Sequence, residues 1–279
     1  MLNPMLIILS VFVFLSTSCQ LNEQGTSHPI ESELTTAQTI GAIPAPKGYS
    51  RTEASQFGSW LRKIALHQPN KKVLLHNGQQ LPDQSGVYRV INKPVGNKDL
   101  KQCADAIIAL KAEYLLDTDR VSDIAFNLTS GDRIHFQEWL NGKIPVVKGN
   151  KVGYKQVERM QHKKRAFDKY LQFIYMYAGT HSLSKELKKK DINEMEIGDV
   201  FIKGGFPGHA MIVMDLVENE SGDKKFMLAQ SFMPAQEMHV VKNPADKNGS
   251  PWFEMPSQTK SLMTPGWTFA SNQLMTWYN

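Results

Sequence analysis

The run "GDVFIKGGFPGHAMIVMD", Gly198 to Asp215, constrains the fold more than any other stretch. Two apolar segments flank a Gly-Gly-Phe-Pro-Gly turn, and the second opens on a histidine, His209. Turn residues between β-rich segments read as strand, turn, strand. A third strand-like segment, "KFMLAQSFM" (225–233), follows the connection "NESGDK". The late part of the chain therefore reads as an antiparallel β-meander. Helical patterns precede it, so the expected class is α+β.

The clearest helix begins near Asp99. Asp99-x-x-Gln102 is a capping-box variant, and "LKQCADAIIALKAEYLLD" follows without Gly or Pro. Shorter helices are expected over 57–66 and at "HFQEWLNG", and an amphipathic one over 165–179. A hairpin is expected over 72–81 turning at Asn77-Gly78, and strands over 86–92 and 123–130.

The N-terminus carries a separate message. Met5 to Leu15, "MLIILSVFVFL", is a continuous apolar stretch, too short for a membrane span and suited to a signal-peptide core. Ser16-Thr17-Ser18 then precede Cys19, in a pattern that resembles the lipobox of bacterial lipoproteins, whose cysteine is acylated. A plain secretory signal is the alternative. Residues 20–42 are polar and lack periodicity, as a flexible tether would be. The expected organisation is a signal peptide over 1–18, a lipidated Cys19 with its tether over 19–42, and one α+β domain over 43–279.

Composition narrows the function. The 32 Lys and Arg against 27 Asp and Glu leave a net charge of +5. The basic runs Lys188–Lys190 and "HKKR" (162–165) lack interleaved aromatics and read as solvated helix faces, so nucleic acid is not an expected partner. No histidine pair shows metal-ligand spacing, and neither a G-x-S-x-G elbow nor a phosphate-binding loop is present. No cofactor is expected.

Only two cysteines occur, Cys19 and Cys103. If Cys19 carries lipid, Cys103 is a lone thiol in an exported protein. It is then a buried core thiol, half of an intermolecular bridge, or a nucleophile. It is expected about four residues into its helix, where the helix end favours an anion. It also lies on the stripe Leu100, Cys103, Ile107, Leu110, Tyr114, which alone would mean core packing.

His209, behind its glycine turn, is the candidate base, with a packed sheet-edge histidine as the other reading. Its orienter would come from the next strand. If Glu218 faces Asp223, paired residue numbers sum to 441. His209 then faces Phe232, and Gln230 shares its face; a slip of one residue would bring Ser231 there instead.

The segments "IPAPKGY", "NKDLKQCADAIIALKAEYL", "FNLTSG", "YAGTHSLSKEL", "GDVFIKGGFPGHAMIVMD" and "LAQSFMPAQEMHV" together resemble a family of exported bacterial proteins catalogued as a domain of unknown function. The resemblance runs from Ile43 to Phe269. Locally, Gly-Asp, a strand, a turn and Gly-His before another strand is similar to papain-like cell-wall cysteine peptidases and amidases. That likeness implies a papain-like α+β fold with Cys103 as nucleophile, His209 as base and Gln230 as orienter. It implies amide substrates such as cell-wall peptides. The lipid anchor implies a membrane of the bacterial cell envelope as partner and location. A non-catalytic envelope binding module, with Cys103 as packing, is the competing expectation.

Overall fold

The computed structural model describes residues 38–257 and 259–278. The expected signal peptide, Cys19 and most of the tether lie outside them. Among the described residues no helix is long and apolar enough to cross a membrane.

A nine-stranded sheet organises the chain. Its strands are β1 (Tyr49–Arg51), β2 (Val87–Val90), β3 (Leu187–Lys189), β4 (Val200–Lys203), β5 (His209–Asn219), β6 (Lys224–Gln230), β7 (His239–Val241), β8 (Trp252–Glu254) and β9 (Leu274–Trp277). The order is β2-β7-β6-β5-β4-β9-β3, with β1 pairing β5 and β8 pairing β6. All of these pairings are antiparallel. The expected meander β4-β5-β6 is its centre. Short strands from the early half of the chain, β1 and β2, also join it.

Among the described residues five α-helices complete the α+β architecture: α1 (Gln56–Arg62), α2 (Cys103–Asp117), α3 (Phe136–Leu140), α4 (Lys163–Tyr177) and α5 (Thr180–Glu186). Both α1 and α2 pack on β5. Every residue of β5 from His209 to Val217 is consequently buried, which explains why this strand is apolar on both faces rather than alternating. The rings of Phe201, Phe226, Phe253 and Phe269 stack across one face of the sheet, with successive centroids 5.6–5.9 Å apart.

Two expected boundaries move. The packed body begins ahead of residue 43: Thr39 bridges Ala65, Ile40 N–H donates to Ile64 O at 3.0 Å, and Ile40 is fully buried. Helix α2 starts at Cys103, not near Asp99. Gln102 is its cap, and the Asp105 side chain accepts from Gln102 N–H at 3.1 Å. Asp99 serves elsewhere, accepting from Ala235 N–H at 2.7 Å and from the Gln102 amide at 3.0 Å. Its local helix signal is overridden by a loop it must tie down.

One buried ion cluster fastens the early chain to the sheet. Asp215, fully buried on β5, accepts from Arg51 Nε at 2.8 Å and Arg62 Nε at 2.7 Å. Arg62 also donates to Thr52 O at 2.9 Å, so both guanidinium groups hold backbone as well as charge.

Candidate functional site

Two helix-start and strand-start positions meet at the head of β5. The turn before His209 is tight because Gly208 has no side chain: a Cβ there would run into Gly205 O and Thr180 Oγ1. His209 then enters the sheet opposite Lys203, with its ring against Phe232 (4.5 Å between centroids) and Trp267 (5.4 Å).

The register of the β5–β6 hairpin decides which side chain meets His209. Near the turn Glu218 pairs with Lys224, not Asp223, and the sums are 442. A bulge between Met227 and Leu228 leaves Met214 unpaired, and beyond it Ala229 pairs Ile212, restoring 441. Gln230 therefore lies on the face of His209, as expected, although the turn pairing assumed for it was off by one. Without the bulge Ser231 would take its place. Ser231 instead donates to Gln236 O at 2.8 Å and Lys101 O at 3.3 Å, tying the approach to α2 onto the sheet.

A buried polar relay results. His209 Nε2 and Gln230 Oε1 are 2.8 Å apart, Gln230 Nε2 and His239 Nε2 are 3.5 Å apart, and His239 Nδ1 lies 3.1 Å from Glu237 O. The far end sets the polarity of the whole row. A backbone carbonyl can only accept, so His239 Nδ1 carries the proton and its Nε2 is a lone pair. Gln230 must then donate its amide there and accept with Oε1. His209 Nε2 is therefore the protonated nitrogen, and Nδ1 is left with the lone pair. Burial pushes both imidazoles down to about 4; the Gln230 bond opposes this at His209, and the neighbouring His239 adds to it. Both rings are neutral at pH 7.

Cys103 is the first residue of α2 and 8% exposed. Its sulfur faces the backbone amides of Ala104, Ala210 and Cys103 itself, which favour an anion. Burial outweighs them and, with the Asp105 carboxyl, pushes the thiol up to about 11. The thiol thus reaches β5 at the Ala210 amide, one residue past His209. Among the described residues no hydrogen bond joins it to the His209 ring.

Asp105 is the second unexpected member of this neighbourhood. It is 5% exposed, its Oδ1 has no partner among the described residues, and burial pushes it up to about 8, against the Gln102 and Asp105 amides and Lys101. At neutral pH it is a carboxylic acid. A cavity of about 530 Å³, lined by Gln230, His239, Gln236, Phe232, Met233 and Lys242, opens on the far end of the relay; Cys103 and His209 do not line it.

Sequence reasoning missed His239 and Asp105. His239 opens a short strand nine residues after Gln230 and pairs directly with it, a register signal that spacing alone does not expose. Asp105 reads in sequence as a first-turn acid on a helix, and only its burial sets it apart. Among the described residues no group of three or more His, Cys, Asp or Glu is arranged to hold a metal ion.

The chain is thus an α+β protein with a neutral histidine–glutamine–histidine row in its central sheet and a helix-start cysteine that meets the same strand one residue past His209. Residues 40–276 match the family described as Domain of unknown function (4846), and the chain belongs to that family. No curated protein and no solved structure matches it.

Proposed function

We propose that Cys103, His209 and Gln230 form a papain-like thiol site for hydrolysis or transfer at amide bonds of peptides. The observation that carries this reading is the relay from Glu237 O to His209, which leaves the lone pair on Nδ1, in a chain whose helix-start thiol reaches the same strand at the Ala210 amide. No hydrogen bond among the described residues joins the thiol to the imidazole, so this reading requires the His209 ring to turn toward Cys103 when substrate binds.

In this reading both groups begin neutral. His209 Nδ1 takes the thiol proton as Sγ bonds to the carbonyl carbon, with the amides at the start of α2 and of Ala210 available to the developing oxyanion. The C–N bond breaks as the imidazolium returns its proton to the leaving amine. Water then cleaves the thioester, again with Nδ1 as base, and the free thiol is restored. His239 touches no reacting atom and is a positioning residue.

A specific observation favours a second reading. Cys103 and His209 are both buried and both held in their neutral forms, as an inert packed pair would be. The chain would then be a binding module. Alkylation by iodoacetamide at neutral pH separates the two. A site predicts modification of Cys103 in the folded protein that slows in His209→Ala. A packed thiol predicts protection until unfolding and no effect of that variant, which would remove the enzyme from consideration.

The location belongs to the same proposal. An export signal over 1–18 and acylation at Cys19 would hold the domain at a membrane of the bacterial cell envelope, near cell-wall peptides. Stable anchoring needs more than one acyl chain. Cys19→Ala should move the protein from the membrane to the soluble fraction with residues 43–279 still folded. Membrane retention in that variant would argue for a different anchor.

A further inference from the structure

A second cavity, of about 800 Å³, lies beside α1, α2 and β9, and none of the relay residues lines it. Lys111 enters it from α2. Its Nζ lies 4.7, 5.5 and 5.4 Å from the ring centres of Phe57, Tyr114 and Trp277. Among the described residues Lys111 has no ion-pair partner. The other cations of the wall are engaged: Arg120 Nε holds Asp123 at 2.7 Å, and Arg133 lies 3.4 Å from Glu186. Trp277 lines the same space, and its indole N–H is buried without an acceptor among the described residues. A cation without a counter-ion therefore stands in an aromatic-walled cavity, and the Trp277 ring that helps to line it carries a buried donor without an acceptor.

We propose that this cavity binds a small organic monocarboxylate, its carboxylate held by Lys111 and by the Trp277 indole N–H as that ring turns its buried donor toward the cavity, and its apolar body against the Phe57 and Tyr114 rings. Buried donors are normally paired, and a carboxylate supplies acceptors to both groups at once. Aromatic rings offset part of the cost of a desolvated ammonium but do not neutralise it. Burial pushes Lys111 down to about 8, as expected of an ammonium lacking an anion. Asp123 and Glu186 stand on the same wall, the latter with its carboxyl raised by burial to about 7, and their negative charge disfavours a dianion, which selects a monocarboxylate over phosphate.

The probe is phenylacetate, titrated against the wild-type protein while the indole N–H resonances are followed by ¹⁵N NMR. Binding should be saturable, should shift the Trp277 signal, and should survive Cys103→Ser, because the cavity is independent of the thiol. Lys111→Met, which keeps the apolar stem, should weaken it by about ten- to hundredfold, the usual worth of a charge-assisted hydrogen bond. If that variant fails to fold, Trp277→Phe takes its place, with phenylacetate binding read by isothermal titration calorimetry since the Trp277 signal is gone, and should weaken binding in the same direction. The proposal is overturned by no saturable shift of Trp277, by unchanged affinity in the folded variant, or by inorganic phosphate binding more tightly than phenylacetate.

Discussion

Replacing Asp105 by asparagine isolates the energetic cost of the acid buried beside Cys103. In the unfolded chain this carboxyl ionises with the ordinary value of 3.8, whereas in the fold burial raises it to about 8. A raised acid contributes stability that is fully present below the unfolded value and is lost as pH climbs toward the folded one. At pH 7 the gap amounts to about three pKa units, or on the order of 4 kcal/mol. Asparagine stays neutral in both states and keeps an oxygen for Gln102 N–H. Its new N–H donors face the side where Oδ1 has no partner, which takes back roughly 1–3 kcal/mol. Asp105→Asn should therefore be close to wild type or weaker near pH 4, and more stable by about 1–3 kcal/mol near pH 7. Urea denaturation of both proteins across that range measures it. The difference between the two curves is the quantity to read, since Glu186 and the histidines titrate in both. A difference that stays constant with pH would refute the reasoning, because it would mean that Asp105 is ionised in the fold. The same substitution removes a charge that raises the Cys103 thiol, so alkylation above about pH 8 should speed up rather than slow down.

Three further outcomes are expected. His209 and His239 both have folded values depressed to about 4, so each contributes stability that is present above about 6.5 and lost as pH falls toward 4; His239→Phe should reduce the proton uptake on acid unfolding by about one. Gln230→Ala should cost roughly 1–2 kcal/mol in urea denaturation and slow Cys103 alkylation less than His209→Ala does, since the base remains and only its tautomer is freed; an alkylation rate equal to wild type would take Gln230 out of the site. Asp215→Ala leaves Arg51 and Arg62 without their shared carboxylate and should cost about 3–5 kcal/mol in thermal or urea unfolding, where a loss under 1 kcal/mol would show that the guanidinium groups find other partners.

The α+β class, the central meander and the positions of α2 and α4 were legible in the sequence because they rest on local signals: long Gly- and Pro-free apolar patterns, and turn residues between strands. What was not legible depends on contacts distant in the chain. Asp99 carries a capping-box pattern, yet its carboxylate is claimed by Ala235, 136 residues away, and the helix starts at Cys103 instead. That correction puts the cysteine at the first helical position, where backbone amides are free, rather than a turn inside. Thr39 and Ile40 look like tether by composition, but the packing of Ile40 and its pairing with Ile64 place them in the body.

Gln230 shows how a residue's place beside His209 can be reached through an incorrect intermediate. Pairing Glu218 with Asp223 gives sums of 441 along the whole hairpin, whereas the observed pairing begins at 442 and is reset at Met214. A strict ladder from the true turn would have turned Gln230 away and presented Ser231 to His209, because strand side chains alternate faces. The bulge therefore performs the selection, and nothing local in "MIVMD" announces it. Its placement is intelligible from the neighbouring residue: Asp215 must meet Arg51 and Arg62, while Met211 and His209 must meet the face of Gln230. One extra residue between the two requirements lets a single strand satisfy both. Coupling of that kind binds the ion cluster that fastens the early chain to the register that builds the relay, so the stability of one and the geometry of the other are set by the same strand.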